Sequence, residues 1–124
     1  MRHRYTDQNL SPAAMLLPVK IWSGGREGEW AVTGKLDTAA DMTAIPRDLP
    51  GPEGVPRFAT RRIRQTGRVE STYLVEVELD GQVYSIEAVG HGATYALIGR
   101  DILNELKLIA DGPAEVFELV HRAR

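Results

Sequence analysis

Residues 34–46 read GKLDTAADMTAIP. The apolar, strand-like run WAVTGKL (residues 30–36) stops at Asp37. Thr38, two alanines and a second acid, Asp41, follow before apolar residues resume. An acid at the very end of a buried strand has two explanations. The local one takes Thr38-Ala39-Ala40-Asp41 as a capping box that opens a helix, with Asp37 an ordinary turn residue bonded to nearby backbone. The chemical one takes Asp37 as a carboxylate that a rigid strand delivers to a site. This stretch alone leaves both open.

Outward from it, most of the chain reads as β. Met15–Trp22 and Glu29–Leu36 are strands joined by SGGREGE (residues 23–29), whose glycines suit a hairpin. Trp22 and Trp30 are expected to pack across that hairpin. Arg47–Pro56 holds three prolines and two glycines and reads as a loop. Strands follow at Arg57–Gln65 and Arg68–Leu79. In the second of these Val75, Val77 and Leu79 alternate with Glu76 and Glu78, a period of two. Asp80-Gly81 is a hairpin turn before a strand at Gln82–Gly90. Thr94–Gly99 is strand-like, and His91 in GHGAT reads as a turn residue. Helical spacing of Ile102, Leu103 and Leu106 predicts a single helix at Arg100–Leu108. Asp101 in its first turn complements the helix dipole, and both Asp101 and Glu105 are read as surface residues. Ala114–Val120 is a last strand. The expected class is all-β with one short helix, as one domain of residues 1–124 whose first dozen residues are the candidate flexible segment.

Composition excludes several functions. A chain of 124 residues that is 43% hydrophobic can bury roughly two-thirds of its unfolded surface and make a real core. With 15 basic and 17 acidic residues, net charge −2, nothing points to nucleic acid. The basic cluster RRIRQTGR (residues 61–68) lacks interleaved aromatics and reads as a solvated face. There is no cysteine, so disulfides, thiolate metal sites and cysteine nucleophiles are excluded; this is compatible with a reducing cytoplasm, the expected location. AAMLLPV is too short and proline-broken for a signal-peptide core, and no run is long enough to span a membrane. His3, His91 and His121 lack ligand spacing, so no metal or other cofactor is expected.

A second motif, ALIGRDIL at residues 96–103, lies 62 residues beyond Asp37, counted to Gly99. Together with LDTAAD (residues 36–41), it strongly resembles the retropepsin-like aspartic proteases, over about Leu16–Leu119. In that family an apolar strand ends in Asp-Thr/Ser-Gly-Ala, a flap hairpin follows, and an apolar-apolar-Gly-Arg segment leads into one helix. The resemblance implies that Asp37 is the catalytic aspartate and that Thr38 ties two active-site loops together across a dimer. It places Ala39, Ala40, Asp41 and Met42 along the substrate cleft, with Asp41 paired to Arg100. It makes Tyr95 and Leu97 pocket walls, and Gly99 the point where that strand approaches the active-site loop. It puts a flap within about Thr60–Thr72, with Gln65, Thr66 and Gly67 at its tip; the charged run of that flap is read as solvated, with selection of acidic or polar substrates as the alternative.

The chain carries one such motif, so this chemistry implies a two-fold homodimer that binds a polypeptide as an extended strand. In the family the termini interleave at that interface; Ala114–Val120 and the segment before Leu16 are the candidates. The sequence departs from the family at Ala39, where a glycine is usual. The alternative reading is therefore a weakened or inactive relative that keeps the peptide groove and dimer. A further alternative is a chain whose partner supplies a different second aspartate.

Overall fold

A computed structural model describes residues 1–6, 12–24, 26, 28–49, 57–64 and 66–121. Gln65 and residues 50–56 of the expected proline-rich loop lie outside the described residues, as do residues 7–11 of the candidate flexible segment. Among the described residues ten strands and one helix follow in order: β1 (Arg2–Arg4), β2 (Leu16–Ser23), β3 (Glu29–Leu36), β4 (Ala44–Pro46), β5 (Ala59–Arg62), β6 (Val69–Leu79), β7 (Gln82–His91), β8 (Ala96–Ile98), α1 (Arg100–Leu103), β9 (Leu106–Asp111) and β10 (Val116–His121).

Seven strands form one sheet in the order β2-β3-β8-β4-β7-β6-β5, and β2 also pairs with β6. That extra pairing closes β2, β3, β8, β4, β7 and β6 into a ring, which removes most free edges. Strand β6 makes the closure possible. Lys20–Ser23 pair along its Val75–Glu78 segment, while β5 pairs along Val69–Thr72. Strand β7 pairs with β6 only from Thr72 onward, so Val69–Ser71 and β5 form an arm that runs past the ring. The period-two pattern in β6 is realised: Val75, Val77 and Leu79 are buried and Glu76 and Glu78 face outward. Asp80 and Gly81 both have positive φ, 49° and 78°, which fits a two-residue turn between Leu79 and Gln82.

The other sheet is β1-β10-β9, with β10 in the middle. Phe117 and Leu119, each 1% exposed, turn inward from β10 and join Ile21, Val77, Ile98 and Ile102 in one core. Each such side chain contributes about 1.5–3 kcal/mol by leaving water. His3 on β1 meets the Asp80 carboxylate at 2.9 Å and stacks on Phe117, tying the terminal sheet to the β6–β7 turn. Both candidate terminal segments thus pair with each other inside the chain, and both edges of β10 are occupied.

Three expectations are corrected. The helix ends at Leu103, not Leu108. Leu106 and Leu108 reach the same core from β9, spaced by two because β9 pairs with β10; cross-strand pairing overrides the helical spacing. Trp22 and Trp30 do not pack on each other. Register sets Trp22 opposite Glu29 and Trp30 opposite Ile21, so they lie on opposite faces. Trp30 packs on the core, while Trp22 carries the Arg26 guanidinium 4.3 Å over its ring. The capping-box segment forms no helix: Thr38 and Ala39 are a turn. Strands β1, β4 and β9 were not foreseen; β4 is three buried residues wedged between β8 and β7. Among the described residues, no helix is long and apolar enough to cross a membrane.

Candidate active site

The β3 strand pairs in parallel with β8, and the pairing continues one residue past β3: the Asp37 N–H donates to the Ile98 carbonyl at 3.0 Å. The chain then turns. The Asp37 side-chain Oδ1 accepts from the Ala39 N–H at 3.0 Å, and its carbonyl accepts from the Ala40 N–H at 3.2 Å. Asp37 is therefore a turn residue in the local sense, bonded to nearby backbone. Its side chain is also only half-buried. Both opening explanations leave a trace, because a carboxylate held by one oxygen keeps the other available.

The segment Gly99–Asp101 grips this turn from the opposite side. The Arg100 N–H donates to the Ala40 carbonyl at 2.9 Å, and its guanidinium pairs with Asp41. Gly99 lies so close that a Cβ there would sit 2.7 Å from the Met42 carbonyl carbon and 3.0 Å from the Ala40 oxygen. Only glycine fits without displacing backbone. Asp101, read from the sequence as a surface residue, instead accepts from the Thr43 N–H at 2.9 Å and the Thr43 hydroxyl at 2.7 Å. The Thr43 Oγ1 in turn accepts from the Gly99 N–H at 3.1 Å, inside a site where Thr43 is 0% exposed. Thr43 and Asp101 were missed as a pair. The available signal was a hydroxyl residue inside the apolar run MTAIP, six positions after Asp37.

The other candidate residues divide. Thr38 and Ala39 are exposed, and Ala40 is buried at 2%. Ala39 is not among the residues with positive φ, so its backbone needs none of glycine's freedom. Met42 and Leu97 pack with Ala44, Val89 and Ile63 in a small apolar cluster. Ile63 is the link to the β5–β6 hairpin: it is 4% exposed and seats that hairpin beside the Asp41 segment. Thr66 and Gly67 make hydrogen bonds local to the hairpin tip, and Gly67 has φ 71°. Tyr95 is 37% exposed; the His91 imidazole Nε2 lies 2.7 Å from its carbonyl oxygen and the two rings meet edge to face. Gln65 lies outside the described residues. Among the described residues, no three His, Asp or Glu side chains are grouped to hold a metal ion.

Farther along the hairpin, Glu87 on β7 accepts from Arg61 on β5 and, at 2.7 Å, from the buried Thr72 hydroxyl. The Arg61 hydrogen bond holds the Glu87 carboxyl below its ordinary range against the opposing effect of burial, and Arg61 is correspondingly raised.

No protein-family model and no curated protein matches the chain. Solved structures do. A retropepsin-like aspartic protease from Rickettsia conorii superposes with a TM-score of 0.64 at 12% identity, over 98% of this chain and 91% of that one. The EIAV protease, in complex with an inhibitor, superposes at 0.51 and 19% identity, over 80% of this chain and 92% of that one. The foamy viral protease-reverse transcriptase, in complex with an RNA/DNA hybrid, gives 0.58 at 19% identity over 76% of this chain; the match spans 12% of that longer polypeptide. The chain has the all-β, retropepsin-like fold.

Proposed function

We propose that the protein is an aspartic endopeptidase that works as a two-fold homodimer. The observation that carries this reading is the grip of Gly99, Arg100 and Asp101 on the Asp37 turn. It fixes a half-exposed carboxylate at the end of a rigid strand, where a second copy could bring its own Asp37 alongside. Two carboxylates about 3 Å apart cannot both ionise, so they share one proton. One form takes a proton from water and the other polarises the peptide carbonyl; the pair titrates as a unit. Thr38, exposed and without a side-chain hydrogen bond among the described residues, is free to bond across the two-fold axis.

On this reading the peptide lies extended over Ala39, Ala40, Asp41 and Met42. Tyr95 and Leu97 line its side-chain pockets, and the β5–β6 hairpin with Gln65, Thr66 and Gly67 is the flap. Gly99 and Arg100 hold the site together. Residues 1–124 act as one domain, in the cytoplasm, with no cofactor. The test is digestion of an unstructured protein across a pH series by wild type and Asp37→Asn. Cleavage strongest at mildly acidic pH and absent from the folded, dimeric variant is the expected result. Cleavage that survives in the variant would sink the reading.

A second reading, a peptide-binding relative without turnover, draws on Ala39, which is exposed and stands where the retropepsin-like proteases usually have glycine. It requires peptide binding unchanged in Asp37→Asn and no cleavage by either protein.

A further inference from the structure

The arginines of this chain are not alike. Arg26, Arg47, Arg61 and Arg100 are each paired with a carboxylate, respectively Glu76, Glu70, Glu87 and Asp41. Among the described residues Arg2, Arg4 and Arg57 have no carboxylate partner, and at the tip of the β5–β6 hairpin unpaired arginines cluster. Arg64 and Arg68 are exposed, and neither has a carboxylate partner among the described residues. Arg62 directs its Nη1 to the Gly67 carbonyl at 2.9 Å, which fixes the side chain without neutralising it. Three positive charges thus gather within residues 62–68.

The described residues on either side of Gln65 are hydrogen-bonded across the tip. The Ile63 N–H donates to the Arg68 carbonyl at 2.7 Å, the Gly67 N–H donates to the Ile63 carbonyl at 2.7 Å, and the Arg68 N–H donates to the Thr66 hydroxyl at 3.1 Å. Ile63 is buried in one cluster with Ala44 and Val89, against which Met42 and Leu97 pack, so the tip is anchored to the strand that follows the Asp37–Asp41 turn. On that turn the charge of Asp41 is already met by Arg100. A polypeptide between tip and turn therefore passes a cationic rim with unspent guanidinium groups, set over an apolar wall.

We propose that this hairpin tip selects polypeptides with acidic side chains close to the bound segment's apolar residues, Arg64 and Arg68 supplying the counter-charge. The proposal rests on the peptidase reading and names its substrate class. Guanidinium suits this role because its planar donors can grip a carboxylate with two parallel bonds. Such pairs are exposed, so each is modest and sensitive to salt. The two tips of a dimer would double the effect.

The test uses three peptides identical except for Glu, Gln or Lys flanking the scissile position. The value of kcat/KM is compared at about 0.05 M and about 0.5 M salt, where screening differs strongly. The Glu peptide should exceed the Lys peptide about tenfold at low salt and far less at high salt. The double variant Arg64→Glu/Arg68→Glu should reverse the order. The same peptides are also titrated against Asp37→Asn by fluorescence anisotropy, which reads binding without turnover. Binding in the order Glu, Gln, Lys with no cleavage by wild type would support the tip's role while removing the peptidase reading. Cleavage of all three with equal kcat/KM, or an order that survives charge reversal, would overturn the proposal and leave the peptidase reading in place.

Discussion

Thr43 and Asp101, 58 positions apart, are joined by two hydrogen bonds: backbone N–H and side-chain hydroxyl of Thr43 both donate to the same carboxylate. The hydroxyl oxygen also accepts from the Gly99 N–H. One buried threonine thus fastens the segment after Asp37 to the start of the helix. Among the described residues Asp37 itself is bonded only to its own turn and to Ile98, so its position depends on this fastening.

Thr43→Val keeps the shape and removes the hydroxyl. It leaves the buried Gly99 N–H without an acceptor and takes one donor from Asp101, a loss of about 2–3 kcal/mol. Urea unfolding should report that drop in midpoint without a change in slope. Thr43→Ser should recover most of it. A shift below about 0.5 kcal/mol in the valine variant would mean that the network does not hold the turn.

Gly99→Ala places a methyl within 2.7–2.8 Å of the Met42 carbonyl group, where rigid backbone must move. The expected penalty is about 1–3 kcal/mol, with a larger proportional loss of peptide cleavage because the displaced segment carries Asp41. Thermal unfolding and kcat/KM measured on the same preparation check both halves.

Ala39→Gly asks what the alanine does where retropepsin-like proteases usually have glycine. Ala39 carries no backbone strain, so glycine should lower stability by about 0.4–1 kcal/mol through greater freedom of the unfolded chain. Ala39 is exposed, and on the proposed reading the peptide passes over it, so KM should fall by up to about tenfold with kcat little changed. A steady-state comparison separates the two constants; a rise confined to kcat would mean that the methyl disturbs the reacting groups instead.

Acid should loosen the β5–β6 hairpin. The folded Glu87 carboxyl is held below its ordinary value of 4.5, first by Arg61 and then by Thr72, against burial. A lowered folded value means that the stabilisation is fully present above 4.5 and is lost as pH falls through the lower folded value. Hydrogen exchange of the paired amides in Ala59–Arg62 should accelerate relative to the β2–β3 pair as pH drops below that point, after correction for intrinsic rates. Glu87→Gln should show the faster relative exchange already at neutral pH.

Much of this protein was legible in the chain because the relevant physics is local. Period-two alternation in Val75–Leu79 follows from the pleat, whatever lies on either side. The Asp80-Gly81 turn follows from the backbone freedom of those two residues. Residues 36–41 and 96–103 are short motifs whose residue types suffice to raise the question of a carboxylate site, and the close fit at Gly99 is written in its missing side chain.

What the tertiary structure alone decided is partner choice across distance. Leu106 and Leu108 fit a helix face or a strand face equally well until β10 supplies the ladder. Asp101 reads as a helix-start acid until Thr43 is brought beneath it. Arg61, Arg64 and Arg68 are one basic run in the sequence, and only the approach of Glu87 on β7 neutralises the first and leaves the other two at the tip. Local sequence sets what each segment can form; which donor meets which acceptor depends on closing long loops, and that is settled by the whole packed chain at once.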